Sequence, residues 1–417
     1  MREETNVAAW GQVICLGRKR AALYSPGMAH ESRFRVVHPI LLFACLFSCG
    51  VLCARPPFAA AGYIVLPTAL WCLRELGKTS FLYLLGWFLG ALSSVAIGAV
   101  DVGAGLPMAL TIWFALTLLS TLCTVPAFSR RATPAERAAW VFIPVSLPPL
   151  ALIAPLPPAA AAGWWFPSTG VLGVLFTILT AGGVLEAVKR ASWGPLVVPA
   201  LCAALLNLHA VFVPPKPSRV VALSLPVDKP PVDFGGSIRA ALLYGPLVRG
   251  AAEMSHASGE PAPTIMLPEN VLGPVSPGQG NALHLPPASR LIAGGSGKVP
   301  WAEHLQKGVW VLPDRVFYPA IQPIPMIEDG LKPHWSAIGH TAKIGDDRYS
   351  LLVCFEAVAS LPLYHLHYRT PMLLLGNGWW DRSGTMDIEV SLAHAWARLF
   401  NDPIAMARGF PFLGKAP

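Results

Sequence analysis

The sequence predicts a multi-pass α-helical membrane domain followed by an α/β domain. Three observations lead to this fold class. The chain is 54% hydrophobic and only 13% charged, whereas charged residues make up about a quarter of an ordinary soluble domain. The apolar residues are concentrated between positions 36 and 214. The remaining half, 215–417, has mixed polarity, and strand-like patterns alternate in it with helix-like ones.

The apolar half is divided into stretches that are each close to the ~20 residues a helix needs to cross a bilayer. We predict seven spans, at 36–54, 58–73, 81–100, 105–127, 139–161, 164–186 and 194–213. The fifth span contains several prolines, which membrane helices tolerate where neighbouring helices shelter the freed backbone groups.

The basic residues of the connectors indicate the orientation. Every second connector is basic and holds residues such as Arg33, Arg74, Arg131 and Lys189, whereas the connectors of the other side hold only Arg55. Lys and Arg collect on the cytoplasmic side. We therefore predict a cytoplasmic N-terminal segment at 1–35, a membrane domain at 36–214 and a domain at 215–417 on the far side. In a bacterial inner membrane that side is the periplasm.

The net charge of +8 does not indicate a nucleic-acid partner. Residues 1–214 carry a net charge of +7 and residues 215–417 a net charge of +1. The excess of basic residues thus belongs to the membrane half, and the α/β half has no excess of positive charge that would attract a nucleic acid. The lipid bilayer is the expected partner, and no direct nucleic-acid binding is expected.

The second half has the sequence pattern of an α/β domain, in which predicted strands alternate with predicted helices. Apolar runs bounded by turn residues predict strands, and apolar residues at helical spacing predict helices. The predicted strands are 219–226, 264–267, 291–294, 308–312, 348–355 and 371–376, and the predicted helices are 237–256 and 389–400.

Polar side chains follow three of these strands, where α/β sheets gather their chemistry. They are Glu269, Cys354 with Glu356, and Asn377 followed by Trp379-Trp380. Cys354 is the only cysteine of residues 215–417, so it has no partner there for a disulfide. A lone thiol in an oxidising compartment favours a nucleophile over an inert core residue, and a nearby carboxylate can activate it.

These motifs resemble the carbon–nitrogen hydrolase (nitrilase) superfamily. The resemblance rests on Leu267-Pro-Glu-Asn270, Val353-Cys-Phe-Glu356 and Asn377-Gly-Trp-Trp380, in this order. A membrane half ahead of such a domain is similar to the layout of apolipoprotein N-acyltransferases, and it looks like the TraB-type conjugal-transfer proteins of agrobacterial and rhizobial plasmids. The resemblance implies an αββα sandwich for residues 215–417 and a site built on a Glu-Lys-Cys triad.

By motif match, the resemblance makes Glu269 the general base and Cys354 the nucleophile that forms an acyl-enzyme thioester. It gives Glu356 the role of the acidic residue that orients the site. The family lysine stabilises the tetrahedral oxyanion.

The sequence departs from the family pattern at the lysine of the triad. The stretch 312–325, where the family lysine is expected, contains no lysine. Its nearest cation is Arg315, which we place in the lysine's role, while Asp314 falls at the lysine column. Lys298 and Lys307 precede this stretch and would take the role only in another register. Gln322 stands where the acyltransferases have a glutamate.

Several functions stay open at this stage. The leading hypothesis is an inner-membrane protein of plasmid conjugation that performs acyl transfer or amide hydrolysis, with a lipid or lipoprotein as substrate and other conjugation proteins as partners. The second is a catalytically inactive nitrilase-like scaffold, and a third is a Cys–His hydrolase that uses His365 or His367. No cofactor and no metal site are expected.

Overall fold

The structure is a computed structural model. It describes residues 28–53, 80–128, 132–153, 157–190, 192–227, 231, 233–260, 262–273, 283, 285–298, 305–323, 333–378, 381 and 385–411.

Helices make up the first half of the described chain. In chain order they are α1 (Met28–Cys53), α2 (Ser80–Ala91), α3 (Ser93–Val102), α4 (Leu106–Thr124), α5 (Pro134–Ser146), α6 (Leu150–Ile153), α7 (Ala161–Trp165), α8 (Val171–Arg190) and α9 (Gly194–Phe212). Among the described residues, three helical segments are long and apolar enough to cross a membrane: Phe81–Val102, Leu106–Ala127 and Gly194–Phe212. Two shorter apolar helices run over Ile40–Leu52 and Val171–Ala187.

The predicted spans compare with these helices in different ways. The third, fourth and seventh coincide with the three long segments, and the second lies outside the described residues. The fifth, 139–161, was wrong as a single helix. The helix α5 ends at Ser146 and the chain continues through Pro148-Pro149 into the short α6, because consecutive prolines remove backbone donors that a continuous helix requires. The sixth predicted span, 164–186, is likewise not one helix, because α8 starts only at Val171.

The second half contains ten strands among its described residues, which form two sheets. They are β1 (Val220–Ala222), β2 (Leu225–Val227), β3 (Thr264–Met266), β4 (Arg290–Lys298), β5 (Leu305–Leu312), β6 (Val316–Pro319), β7 (Ala342–Ile344), β8 (Asp347–Val353), β9 (Met372–Gly376) and β10 (Ile404–Pro411). One sheet has the order β1-β3-β4-β5-β6 and the other the order β2-β10-β9-β8-β7. The single strand predicted at 219–226 is thus two strands, one in each sheet.

The side chains between the two sheets form one apolar core. Met266 and Val309 from the first sheet pack in it with Val353 and Leu375 from the second. The opposite face of the first sheet packs on α10 (Phe234–Ala257), through contacts such as those of Leu267 with the buried helix residues. The opposite face of the second sheet packs on α12 (Thr385–Phe400). The domain therefore has the predicted layers of helix, sheet, sheet and helix.

The helix α12 also joins the α/β domain to the first half. Its residue Trp396 is buried in a cluster that includes Ala159 and Ala162. The Arg398 guanidinium donates from Nε to the Gly163 carbonyl at 3.2 Å and from Nη2 to Asn207 Oδ1 at 2.7 Å. Helices of the first half therefore pack on α12, on the side of the second sheet that faces away from the first sheet. A short helix, α11 (Pro362–His365), lies between β8 and β9.

Candidate active site

Glu269 lies just after β3, at the carboxyl end of that strand. Its backbone N–H donates to the Gly376 carbonyl at the end of β9, at 3.4 Å. The residue is 1% exposed, and Asn270 Nδ2 donates to its Oε1 at 2.8 Å. Glu269 therefore follows a strand, as the sequence predicts, and its backbone links the carboxyl ends of β3 and β9, which belong to different sheets.

Lys307 provides the cation of this site. Its Nζ lies 2.9 Å from Glu269 Oε1, and both side chains are almost fully buried, at 4% and 0% exposure. The alternation of β5 explains the orientation: Val309 and Val311 face the core between the sheets, and Lys307 shares their face because side chains alternate along a strand. A fully buried lysine is rare unless it is paired, and Lys307 is paired with the carboxyl group that the motif marks as the base.

The placement of Arg315 in the lysine's role is therefore replaced by Lys307. Arg315 is exposed and lies in the turn between β5 and β6, where its φ is +59°. From Lys307 the strand continues to Leu312 before that turn, a rise of roughly 16 Å at about 3.3 Å per residue. Asp314 of the same turn pairs with Arg290 at 3.1 Å. The backbone of Lys298 ends β4 opposite Leu305.

Cys354 occupies a strained turn between β8 and a short 3-10 helix over Cys354–Val358. Its φ is +46°, a left-handed conformation that non-glycine residues adopt at a cost of about 1–3 kcal/mol and that clusters at functional sites. The residue is 5% exposed and belongs to the core between the sheets. Because Val353 pairs with Leu375, which precedes the Gly376 carbonyl bonded to Glu269, the thiol reaches the same end of the two sheets.

Glu356 fixes this turn to the loop that follows β6. Its Oε1 accepts from the backbone N–H groups of Ile321 at 2.5 Å and Gln322 at 2.9 Å, and its Oε2 accepts from the N–H of Val353 at 2.7 Å. Burial raises the pKa of Glu356 to about 7, while those backbone donors and the charge of Lys307 oppose the rise. The Glu356 carboxyl group thus joins the backbone just before Cys354 to the backbone of the loop that follows β6.

A second buried carboxyl group, which the sequence analysis missed, lies beside Glu269. Glu389 of α12 is 4% exposed, and a Cβ added to Gly376 would meet its Oε1 at 3.1 Å. Burial, and next the charge of Glu269, raise the pKa of Glu389 to about 8. A signal was available in the sequence, since Glu389 is spaced at i+3, i+4 and i+7 from the buried Leu392, Ala393 and Trp396. It is an acid on the apolar face of a helix.

The remaining candidates lie around this centre. Asn377 directly follows β9, and Trp379 and Trp380 lie outside the described residues. His365 is buried, accepts at Nδ1 from the Gly339 N–H at 3.3 Å, and has its pKa lowered by burial to about 4. His367 is exposed and its Nε2 contacts the Gly339 carbonyl at 2.6 Å. Both imidazoles bind the same surface loop, which supports a packing role for them.

No protein-family model matches the sequence, and no curated protein matches it. Among solved structures, an amidase from Nesterenkonia sp. is similar, with a TM-score of 0.31 and 15% identity over 46% of this chain and 75% of the amidase. A cysteine-to-alanine mutant of the Nesterenkonia AN1 amidase, described as from the nitrilase superfamily, has a TM-score of 0.31 and 16% identity over 47% of this chain and 79% of its own.

Proposed function

We propose that this protein is a membrane-associated amidase or N-acyltransferase that works through a thioester on Cys354. The observation that carries the proposal is the buried Glu269–Lys307 pair, 2.9 Å from Oε1 to Nζ, at the end of the sheets that also presents Cys354 in a strained turn. A scaffold would have no need of a buried ion pair there, because such a pair rarely stabilises a fold more than apolar residues of the same volume.

The chemistry follows from the three groups. Glu269 accepts the proton of the Cys354 thiol, and Sγ attacks the carbonyl carbon of an amide or another acyl donor. The Lys307 ammonium stabilises the negative charge that develops on the carbonyl oxygen. Glu269 returns the proton to the leaving amine, and a thioester remains on Cys354. Water or an acceptor amine, deprotonated by Glu269, then displaces the thiolate, which takes back its proton.

Acyl-enzyme trapping tests this proposal. With p-nitrophenyl octanoate as the acyl donor, we expect one octanoyl group on Cys354, detected by mass spectrometry of peptides from the detergent-solubilised protein. Cys354→Ser should lose the adduct. Glu269→Gln should slow its formation by about 10²-fold or more, since general bases contribute about 10²–10⁴.

The exposed thiol Cys202 offers the matched control. Cys202→Ser should leave the rate unchanged, because that thiol lies on α9, in the half of the chain that does not carry the triad. Acylation of Cys354 at the same rate in wild type and Glu269→Gln would refute the assignment of the base.

We further propose that this activity takes place in the bacterial inner membrane and serves plasmid conjugation. This proposal is supported by the alternation of basic connectors and by the resemblance to TraB-type proteins, and the apolar helices suit a lipid or lipoprotein substrate that enters from the bilayer. The α/β domain would face the periplasm, and other conjugation proteins would be its partners.

Transfer frequency tests the conjugation role. A donor strain that lacks this gene should regain plasmid transfer with the wild-type copy and not with Cys354→Ser, at equal protein levels in the membrane. Full complementation by Cys354→Ser would instead support the scaffold hypothesis.

A further inference from the structure

Glu389 is a buried carboxyl group that the proposed mechanism does not use. It is 4% exposed, and its Oε1 has no hydrogen-bond partner among the described residues. Burying a carboxyl oxygen without a hydrogen bond is costly, and a helix that needs only to pack could carry an apolar residue there. The carboxyl group lies against Gly376, whose carbonyl accepts the hydrogen bond of the Glu269 N–H. Residue Gly376 therefore lies between Glu389 and the backbone of the proposed base, Glu269.

The charges around Glu389 are predominantly acidic. Glu269, Asp381 and Asp387 lie on the elements around it, and the cations of this end of the domain are Lys307 and Arg408. Each cation already contacts another carboxylate. Lys307 lies 2.9 Å from Glu269, and Arg408 Nη2 lies 3.3 Å from Asp387 Oδ1. Asp387 is exposed, so the buried carboxyl groups Glu269 and Glu389 face the two cations Lys307 and Arg408. Neither cation donates to Glu389 Oε1, which, like Arg408 Nε, has no hydrogen-bond partner among the described residues.

We propose that Glu389 is the specificity-determining residue of the site, and that it binds a primary ammonium group carried by the substrate close to the reacting carbonyl. An ammonium group supplies the N–H donor that Glu389 Oε1 lacks among the described residues. The inference deepens the proposed function and rests on it, because it assigns a substrate class to the site of Cys354.

The proton on Glu389 determines the sign of the pH dependence. Burial and the charge of Glu269 raise its pKa to about 8, so below that pH the free protein holds a neutral carboxyl group. An ammonium ligand binds the ionised form and displaces the proton to solvent. The affinity for a cation should therefore rise with pH up to about 8, by at most about tenfold per pH unit, while the affinity for a neutral ligand does not follow this titration.

A pair of acrylamides tests the inference on the full-length protein. N-(2-aminoethyl)acrylamide carries an ammonium group, and N-(2-hydroxyethyl)acrylamide is its neutral counterpart of equal length. In both, Sγ of Cys354 adds to the β-carbon, the C=C π bond breaks, and the α-carbon takes the thiol proton through Glu269, so there is no leaving group. The readout is the ratio of the two labelling rates at Cys354, measured by peptide mass spectrometry at pH 6, 7 and 8.

In the wild type we expect the cationic probe to react at least about tenfold faster at pH 8, the worth of one charge-assisted hydrogen bond, with a smaller preference at pH 6. Glu389→Gln should bring the ratio close to one at every pH and leave the neutral probe's rate within about threefold. The matched control is Asp387→Asn, an exposed acid of the same helix, which should keep the preference.

The neutral probe separates the two proposals. If it labels Cys354 in both proteins while Glu389→Gln keeps the cationic preference, the role of Glu389 is refuted and the thiol mechanism stands. If the neutral rate falls with Glu389→Gln as much as the cationic rate does, Glu389 is only structural and the inference is overturned. If wild-type Cys354 reacts with neither probe, the proposed function fails and the inference fails with it.

Discussion

Lys307→Met should abolish acylation of Cys354 and also destabilise the protein. The Lys307 ammonium is the closest cation to the buried Glu269 among the described residues, and removal of one preorganised oxyanion donor costs about 10²–10³ in rate. The change also removes the cation that pairs with the buried Glu269 carboxylate, and breaking a buried ion pair in this way costs about 3–5 kcal/mol. We expect a rate loss of at least about 10²-fold with p-nitrophenyl octanoate and a clearly lower midpoint in thermal unfolding, followed by tryptophan fluorescence in detergent.

Two further variants separate the effect on catalysis from the effect on stability. Lys307→Met combined with Glu269→Gln removes both charges, so the unfolding midpoint should recover most of its loss while acylation stays absent. Arg315→Met changes the exposed cation of the β5–β6 turn and should alter neither quantity by much, since exposed residues away from packed contacts usually contribute within about 0.5 kcal/mol. If Arg315→Met abolished acylation while Lys307→Met did not, the assignment of the lysine would be wrong.

Gly163→Ala should loosen the α/β domain from the helices that pack behind it. A Cβ on Gly163 would lie 1.7 Å from the Ala395 carbonyl oxygen and 2.5 Å from its carbon. These are backbone atoms of α12, which cannot rotate away, so α7 and α12 must separate. Overpacking of this kind costs about 1–3 kcal/mol and occasionally more. We expect a loss of about 3 kcal/mol in the free energy of unfolding, measured as a lower unfolding midpoint in detergent.

The separation should reach the site as well, since α12 carries Glu389 and its Trp396 indole donates to the Ala357 carbonyl at 2.9 Å in the turn of Cys354. Gly250→Ala is the control. Gly250 lies in the helix α10, and a Cβ there would meet nothing within 4 Å. That change should stabilise the helix by up to about 1 kcal/mol. Equal midpoints for the two variants would show that the contact between α7 and α12 is not tight.

The sequence by itself determined that the first half is apolar and helical and that Glu269 and Cys354 follow strands. The apolar composition up to residue 214 indicated membrane-spanning helices, and three of them have the length and hydropathy for it. The apolar runs and the turn residues that follow them predicted that Glu269 and Cys354 lie at strand ends. The backbone leaves the first sheet near Pro268, after β3, and leaves the second sheet at the turn of Cys354, after β8. These are local signals, because hydropathy and strand ends depend on residues that are close together in the chain.

Only the tertiary structure decided which cation and which second acid complete the site. Lys307 precedes the stretch in which the motif expects the lysine. It belongs to the centre because the antiparallel register of β4 and β5 places it opposite Ser296, two residues from Gly294, which lies against Glu269. Glu389 is more than a hundred residues from Glu269 in the chain and meets it through the packing of α12 on the second sheet. Register and helix docking depend on contacts between distant segments, whose free energies a local pattern does not contain.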